Sequence, residues 1–340
     1  MNIGRLWSII GKFSRIWENG GASDCTVGKM NSMEQKELET QPFPRAEMVE
    51  RMARAIPDAG FIQPLSGLFL ARSSQAMQPV YGITQPTFCV VAQGSKEMYL
   101  GGERYQYDPY HYLIATAELP VVSRALEASD DRPYLGLQLF LDTSLIAAVM
   151  GEIGQTPPQT SKSMKALEVS PLDATLLDAT LRLVRLLDDP LEAKVLLPLL
   201  TREIVYRLLV GQQGHRLRQM TVLGGHTQRI SEAVQKICRE FAAPLYVEEI
   251  ARGIGMSVSG FHHHFKQVTA LTPLQFQKQL RLQEARRLML GEELDAASAG
   301  FRVGYEDASH FNHDYKRFFH VTPMRDVERL RESALAGAGI

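Results

Sequence analysis

The last third of the chain contains one short segment twice, at a constant offset of 50 residues. Ser259-Gly260-Phe261-His262-His263-His264-Phe265-Lys266 aligns with Ser309-His310-Phe311-Asn312-His313-Asp314-Tyr315-Lys316. Each copy runs on to a Thr-Pro, at Thr272-Pro273 and Thr322-Pro323. Phe261 and Phe265, like Phe311 and Tyr315, stand four residues apart, which puts each pair on one face of a helix. Ser259, His262, His263 and Lys266, and Ser309, Asn312, His313 and Lys316, then project elsewhere. The repeat requires two copies of one small helical unit with an apolar and a polar face.

The flanking residues complete each unit. Ile230, Val234, Ile237, Cys238 and Phe241 make an apolar stripe, Pro244 ends that helix, and Val247 to Arg252 starts a short second one. Gly253 and Gly255 supply the turn, and Ser257 is a helix cap, accepting from a free backbone N–H. Helix, tight turn and helix form a helix-turn-helix, whose second helix fits a major groove about 12 Å wide. The second unit repeats this with a helix near 294–299, a turn through Gly300 to Gly304 and a helix from about Asp307 to Phe319. The recognition helices are placed at about 257–267 and 307–318. Between the units, Thr272-Pro273-Leu274-Gln275 is a capping box with an N1 proline, opening a helix over 273–290. Held rigidly by it, two such heads would stand about one DNA turn (~34 Å) apart. His and Asn reach base edges, whereas Lys266, Lys316 and Arg317 suit phosphates.

Upstream, from 61 to 141, the pattern is one of short strands. Glu97 to Leu100 and Glu103 to Tyr107 flank Gly101-Gly102, a two-residue hairpin signal. Strands at 87–91, 112–116, 121–124 and 134–141 indicate a small barrel or sandwich. Seven of the 11 tyrosines lie between 81 and 134, and an aromatic-walled barrel can hold a small ligand; Tyr81, Phe88, Tyr99, Tyr105 and Tyr107 are the candidate effector contacts. Asp142 caps a helix to about 151. Helices follow at 171–188 and 192–212, broken by Asp188-Asp189-Pro190. Their second faces suit pairing with another subunit. The domain organisation expected is a disordered extension over 1–42, a sensor and dimerisation domain over 43–215, a linker over 216–226 in the Gly- and Gln-rich stretch, and a DNA-binding domain over 227–335.

Net charge is −1, and residues 225–340 carry 15 Lys and Arg against 14 Asp and Glu. A nucleic-acid reading therefore rests on where basic residues sit rather than on a basic total. No stretch approaches the ~20 apolar residues that cross a bilayer. Three dispersed cysteines, Cys25, Cys89 and Cys238, make no disulfide framework and fit a reducing cytoplasm. Cys89 reads as a half-buried strand thiol with no cation beside it in sequence. Metal catalysis is poorly supplied, because the strand region offers only His111, and His262-His263-His264 point ~100° apart on a helix. No phosphate loop or nucleophile elbow occurs. The expectation is no cofactor, no metal and no enzyme. A metal-dependent enzyme on the barrel and an interaction protein that has lost DNA binding are the alternatives.

The run Gly304-Tyr305-Glu306-Asp307-Ala308-Ser309-His310-Phe311-Asn312, continuing through Tyr315-Lys316-Arg317-Phe318-Phe319 to Thr322-Pro323, resembles the signature of the AraC/XylS transcription regulators. Met256 to Lys266 and Leu280-Arg281-Leu282 resemble it again, so the likeness covers about 227–332. Val90-Val91-Ala92-Gln93-Gly94-Ser95-Lys96, with Tyr105 to Leu113 and Leu119-Pro120-Val121, is similar to the cupin-like sensor domain of one AraC subgroup, over about 60–215. The resemblance implies an α+β, two-domain chain: a cupin-like β-barrel with a helical hairpin, then an all-α double helix-turn-helix. It also implies double-stranded DNA, RNA polymerase, a small-molecule effector and a second copy of the chain as partners. The family's base-contacting positions fall on Ser259, His262 and His263, and on Ser309, His310, Asn312 and His313. The chain departs from its relatives with His in place of Arg at 263 and 313, and with Ala270 and His320 where Gly often follows each recognition helix. If those two positions are left-handed, each costs on the order of 1 kcal/mol.

Overall fold

The computed structural model describes residues 42–75, 79–155, 165–221, 226–292 and 294–338. The expected disordered extension lies outside them, apart from Pro42, which begins helix α1 (Pro42–Ala55). Ten strands follow: β1 (Gly60–Leu65), β2 (Leu68–Ser73), β3 (Val80–Thr84), β4 (Thr87–Gln93), β5 (Ser95–Leu100), β6 (Glu103–Tyr107), β7 (His111–Ala115), β8 (Leu119–Glu127), β9 (Tyr134–Phe140) and, after helix α2 (Thr143–Glu152), β10 (Leu167–Pro171). They pair antiparallel into a six-stranded sheet, β1-β2-β9-β4-β7-β10, and a four-stranded sheet, β3-β8-β5-β6.

The period-two geometry of a strand sorts these residues between two cores. On β4 the even residues Phe88, Val90 and Ala92 join a helical core, while Cys89 and Val91 face the second sheet. Both faces of β4 are therefore dry. On β5, Met98 and Leu100 point into the space between the sheets, whereas Glu97 lies on the opposite face, fully buried, and pairs with Arg104 and Arg124. The β5–β6 hairpin turns through Gly101 (φ 58°) and Gly102 (φ 90°), the positive φ that a type I′ turn demands and glycine accepts.

Helices α3 (Ala174–Arg185), α4 (Pro190–Val210) and α5 (Gly214–Met220), with α1 and α2, cover the outer face of the large sheet. Aspartates cap three of them: Asp142, Asp173 and Asp189 each accept from backbone N–H groups of the first turn, satisfying donors that lack a partner inside the helix. The expected linker is shortened. Residues 214–220 are helical and Leu217 is buried in the helical core, because its apolar side chain completes the seam between α4 and α2. Residues 222–225 lie outside the described set.

The remaining helices are α6 (His226–Arg239), α7 (Val247–Gly253), α8 (Val258–Thr269), α9 (Pro273–Gly291), α10 (Ala296–Arg302), α11 (Ala308–Phe319) and α12 (Pro323–Ala338). The sandwich touches this helical half at the end of α8. The Ala166 N–H donates to the Val268 carbonyl at 3.1 Å, and the Ala166 carbonyl accepts from the Thr116 N–H at 2.9 Å. The hairpin tip abuts Ala270: a Cβ on Gly101 would lie 2.6 Å from the Ala270 carbonyl oxygen, while one on Gly102 would meet nothing within 4 Å. Gly101→Ala and Gly102→Ala therefore share the left-handed penalty of about 1–2 kcal/mol, but only the first separates tip from helix. Hydrogen exchange at the C-terminal amides of α8 is expected to accelerate in Gly101→Ala alone. Equal acceleration in both variants would show that the contact does not hold α8.

Candidate nucleic-acid interface

Each helix-turn-helix is built from a buried stripe, a cap and a turn. In the first, Ile230, Val234 and Ile237 of α6 pack with Ile250 of α7 and Phe261 and Phe265 of α8. Ser257 caps α8, its hydroxyl accepting from the Gly260 N–H at 3.1 Å. In the second, Ala299 and Val303 pack with Phe311, Tyr315 and Phe319, and the Asp307 carboxylate caps α11 from the His310 N–H at 2.7 Å. Thr272 and Gln275 form the reciprocal capping box at the start of α9. The expected helix over 294–299 begins two residues later and runs on to Arg302, because Asp295 caps it, accepting from the Ser298 N–H.

With the phenyl rings inward, the polar residues share one outward stripe per helix. Ser259, His262, His263 and Lys266 are exposed on α8, and Ser309, His310, Asn312, His313, Lys316 and Arg317 are exposed on α11. Two further matched features escaped the sequence reading. Gln267 is exposed at the position that Arg317 holds in the second copy. Arg252 and Arg302, again 50 residues apart, are exposed at the ends of α7 and α10, and the fixed offset was the signal for them.

At one pair of equated positions, 264 and 314, the heads differ in both charge and contacts. His264 stacks on His226, with ring centroids 4.0 Å apart and planes 13° apart. Its pKa is lowered, first by burial and then by the neighbouring His226. The matching Asp314 is buried, pairing with Lys278 at 2.7 Å and with the His310 Nε2 at 3.3 Å. His310, though exposed, is thus drawn along its own helix toward Asp314, and the His313 Nδ1 lies 3.8 Å from the same carboxylate. Ala270 (φ 57°) and His320 (φ 61°) end the two recognition helices left-handed, the only described non-glycine residues that do so, so the cost of about 1 kcal/mol applies at each.

One guanidinium joins the heads. From the middle of α9, Arg281 donates Nε–H to the Phe241 carbonyl at 2.7 Å, Nη1–H to the Gly304 carbonyl at 2.8 Å, and Nη2–H to the Ala242 and Ala243 carbonyls at 3.2 and 2.9 Å. It ties the chain just after α6 to the turn of the second unit.

In the sandwich, the sequence-derived aromatic set divides. Tyr107 is buried between the sheets and Tyr105 packs at the edge of that core, its hydroxyl donating to Glu103 at 2.6 Å. Phe88 faces the helices instead, 5.5 Å from the Tyr112 ring, because it alternates with Cys89. Tyr99 alternates with Met98 and lies on the side of Glu97. Tyr81 sits on β3 opposite Val122. Cys89 is more buried than expected, at 5% exposure. Burial raises its thiol pKa, and Lys96, on the next strand, opposes that rise. Among the described residues no three metal-ligating side chains converge, and no described helix is long and apolar enough to cross a membrane.

Comparison with known proteins agrees with this geometry. Residues 64–216 match the family model of the AraC-type transcriptional regulator N-terminus, and residues 250–329 match a helix-turn-helix domain model; together they cover more than half of the chain. The regulator ArgR of Pseudomonas aeruginosa is 28% identical over 128 residues, 38% of this chain and 39% of its own. The activator RhaS of Klebsiella pneumoniae is 30% identical over 107 residues, 32% of this chain and 38% of its own. The chain thus spans about two fifths of the length of these relatives. ToxT of Vibrio cholerae O395, solved bound to (E)-4-(8-methylnaphthalen-1-yl)but-3-enoic acid, superimposes with a TM-score of 0.52 at 12% identity, covering 79% of this chain and 99% of its own, a likeness of fold. The chain belongs to the AraC/XylS family of transcriptional regulators, with an AraC-type N-terminal domain ahead of its helix-turn-helix units.

Proposed function

We propose that the protein is a sequence-specific DNA-binding transcription regulator whose N-terminal sandwich senses a small molecule, and not an enzyme. One observation carries this: two capped helices, 50 residues apart, present matched exposed stripes of Ser, His, Asn and Lys over buried aromatic pairs. Ser259, His262, His263, Ser309, Asn312 and His313 face base edges, with His310 held partly by Asp314. Lys266, Lys316 and Arg317, joined by Arg252 and Arg302, hold phosphates. The domain boundary falls between α5 and α6. RNA polymerase is the partner that family membership adds, and the cytoplasm the expected compartment.

The chain also carries a surface for a second copy. Leu191, Val195, Leu199, Tyr206 and Val210 of α4 are 73, 66, 58, 43 and 53% exposed, a stripe near helical spacing on one 21-residue helix. We infer a homodimer that buries it, since this many large apolar side chains exposed along one helix are otherwise unfavourable in water.

The test is selection of bound fragments from genomic DNA by the purified protein, then anisotropy titration. Two half-sites about one turn apart are expected. Asn312→Ala with His313→Ala should weaken binding by at least about 30-fold, since two base contacts are lost and each is worth about 1–3 kcal/mol; unchanged affinity would leave the interaction-protein alternative.

A further inference from the structure

The second recognition helix carries a carboxylate that belongs neither to its apolar stripe nor to its polar one. Asp314 lies on α11 beside Tyr315, and its side chain is 4% exposed. Its Oδ2 takes the Lys278 Nζ of α9 at 2.7 Å and accepts from the Tyr305 hydroxyl at 3.4 Å. The same oxygen stands 3.3 Å from the Nε2 of His310, whose own side chain is 65% exposed. Oδ1 lies 3.8 Å from the His313 Nδ1. On its other side the His310 ring meets the Tyr305 ring edge to face, with centroids 5.7 Å apart and planes 81° apart. His310 faces solvent, yet it is set between a buried carboxylate and a buried ring.

The fold of a head does not require this carboxylate. Taking an ion pair out of water is costly, and an apolar replacement is often neutral or stabilising. The first head is built without one: at the equated position His264 stacks on His226, and where the second head has Lys278 the first has Gln228. Position 260, equated with His310, is glycine. The carboxylate, its lysine and the histidine beside it therefore occur together in one head and are all missing from the other. What the carboxylate adds is direction. A carboxylate only accepts, so it favours the His310 proton on the nitrogen that faces it, Nε2. Nδ1 is then the ring atom left for a base edge. A ring fixed in angle and tautomer discriminates between base edges, whereas a ring free to turn offers either nitrogen to any of them.

We propose that Asp314 determines base specificity in the second head alone: without touching DNA, it holds the His310 ring so that Nδ1 meets one base edge. It is a positioning residue, acting through His310, and Lys278 offsets the charge that a lone carboxylate would present beside phosphates. This deepens the DNA-binding reading and rests on it.

The experiment uses the full chain, with anisotropy titration against a panel of the selected operator in which each base pair of either half-site is changed in turn to the other three. Thermal melting accompanies it. Wild type is expected to favour one base pair at one position of the second half-site by about 10-fold or more. His310→Ala removes an exposed side chain and should erase that preference. Asp314→Asn keeps the shape of the side chain without its charge. It should melt lower than wild type, reduce the same preference to less than about 3-fold, and alter preferences in the first half-site by less than about 2-fold. The double variant should lose no more preference than His310→Ala alone, because the two residues act as a unit. Lys278→Gln, which places in the second head the residue of the first, breaks the tie to α9 but leaves the carboxylate on His310. It should melt lower and keep the preference. A preference that survives His310→Ala or Asp314→Asn would overturn the proposal. So would its loss in Lys278→Gln, or an Asp314→Asn variant that weakens every sequence by one common factor, since either would make Asp314 a structural tie only. The two readings fail differently. A wild type that binds no fragment loses the regulator reading, whereas one that binds with preferences indifferent to Asp314 keeps that reading and loses the positioning role.

Discussion

Arg281→Met is expected to leave both helix-turn-helix units folded while lowering affinity for a two-half-site operator by about 100-fold. The guanidinium donates to carbonyls of Phe241, Ala242 and Ala243 on one side and of Gly304 on the other. It therefore fixes the angle between heads that are otherwise joined through α9. Two heads in fixed register bind the second half-site as an intramolecular event, and that gain, about 10²–10⁴ in favourable geometry, vanishes when the geometry is lost. Methionine fills similar volume but donates nothing, and the freed carbonyls can turn to water. Arg281→Lys should fail to rescue, because one compact ammonium cannot span four acceptors that a planar fork reaches. Anisotropy titration on fragments carrying one or two half-sites is the check. A loss of the same size on single half-sites would mean that Arg281 supports one head rather than the spacing of two.

Asp326→Ala should cost the second head about 3–5 kcal/mol, the usual range when one partner of a buried pair is removed. The carboxylate is fully buried. It accepts from Arg286 Nη2–H at 3.0 Å, from the Tyr315 hydroxyl at 2.8 Å and from Arg329 at 3.0 Å, so it joins α9, α11 and α12. Truncation leaves Arg286, itself largely buried, facing an empty position. The residue 50 places earlier is Phe276, also fully buried: the same site in the repeat is filled by a ring in one head and by an ion pair in the other. Hydrogen exchange over 308–332 should rise in Asp326→Ala while 247–269 keeps its protection. Arg329→Ala, at a side chain 35% exposed, should cost less than about 1 kcal/mol. Uniform loss of protection across both heads would show that they unfold as one unit.

The repeat was legible because its signals are local. Ser257, Thr272 and Asp142 announce helix starts through their own side chains, and Gly101-Gly102 announces its hairpin. The left-handed ends at Ala270 and His320 were signalled only through the resemblance, in which Gly often holds both places. The direction of Phe88 could not, since β4 is buried on both faces and alternation in hydrophobicity, the usual guide, is erased. Strand β10 was missed because what makes it a strand is β7, with Leu167 opposite Ala115, and no turn residue connects them. The helix Gly214–Met220 looked like linker because its Gly and Gln content conceals Leu217. Arg281 takes its meaning from partners far along the chain, Phe241 and Gly304, and composition carries no trace of those meetings.

The abutment of Gly101 on Ala270 sets a rule for building hybrids. AraC-type regulators invite recombination, with one chain's sensing half placed ahead of another's helical half. Here the junction is not confined to the connecting segment: a glycine at a hairpin tip accommodates a left-handed alanine 169 positions later. A foreign sensing half joined to residues 226–338 would need a bare backbone at that tip, and a foreign helical half a small residue at the end of its first recognition helix. Compatibility between halves is thus written in two residues remote from the seam, and hybrids chosen by seam alone would assemble with the first head displaced.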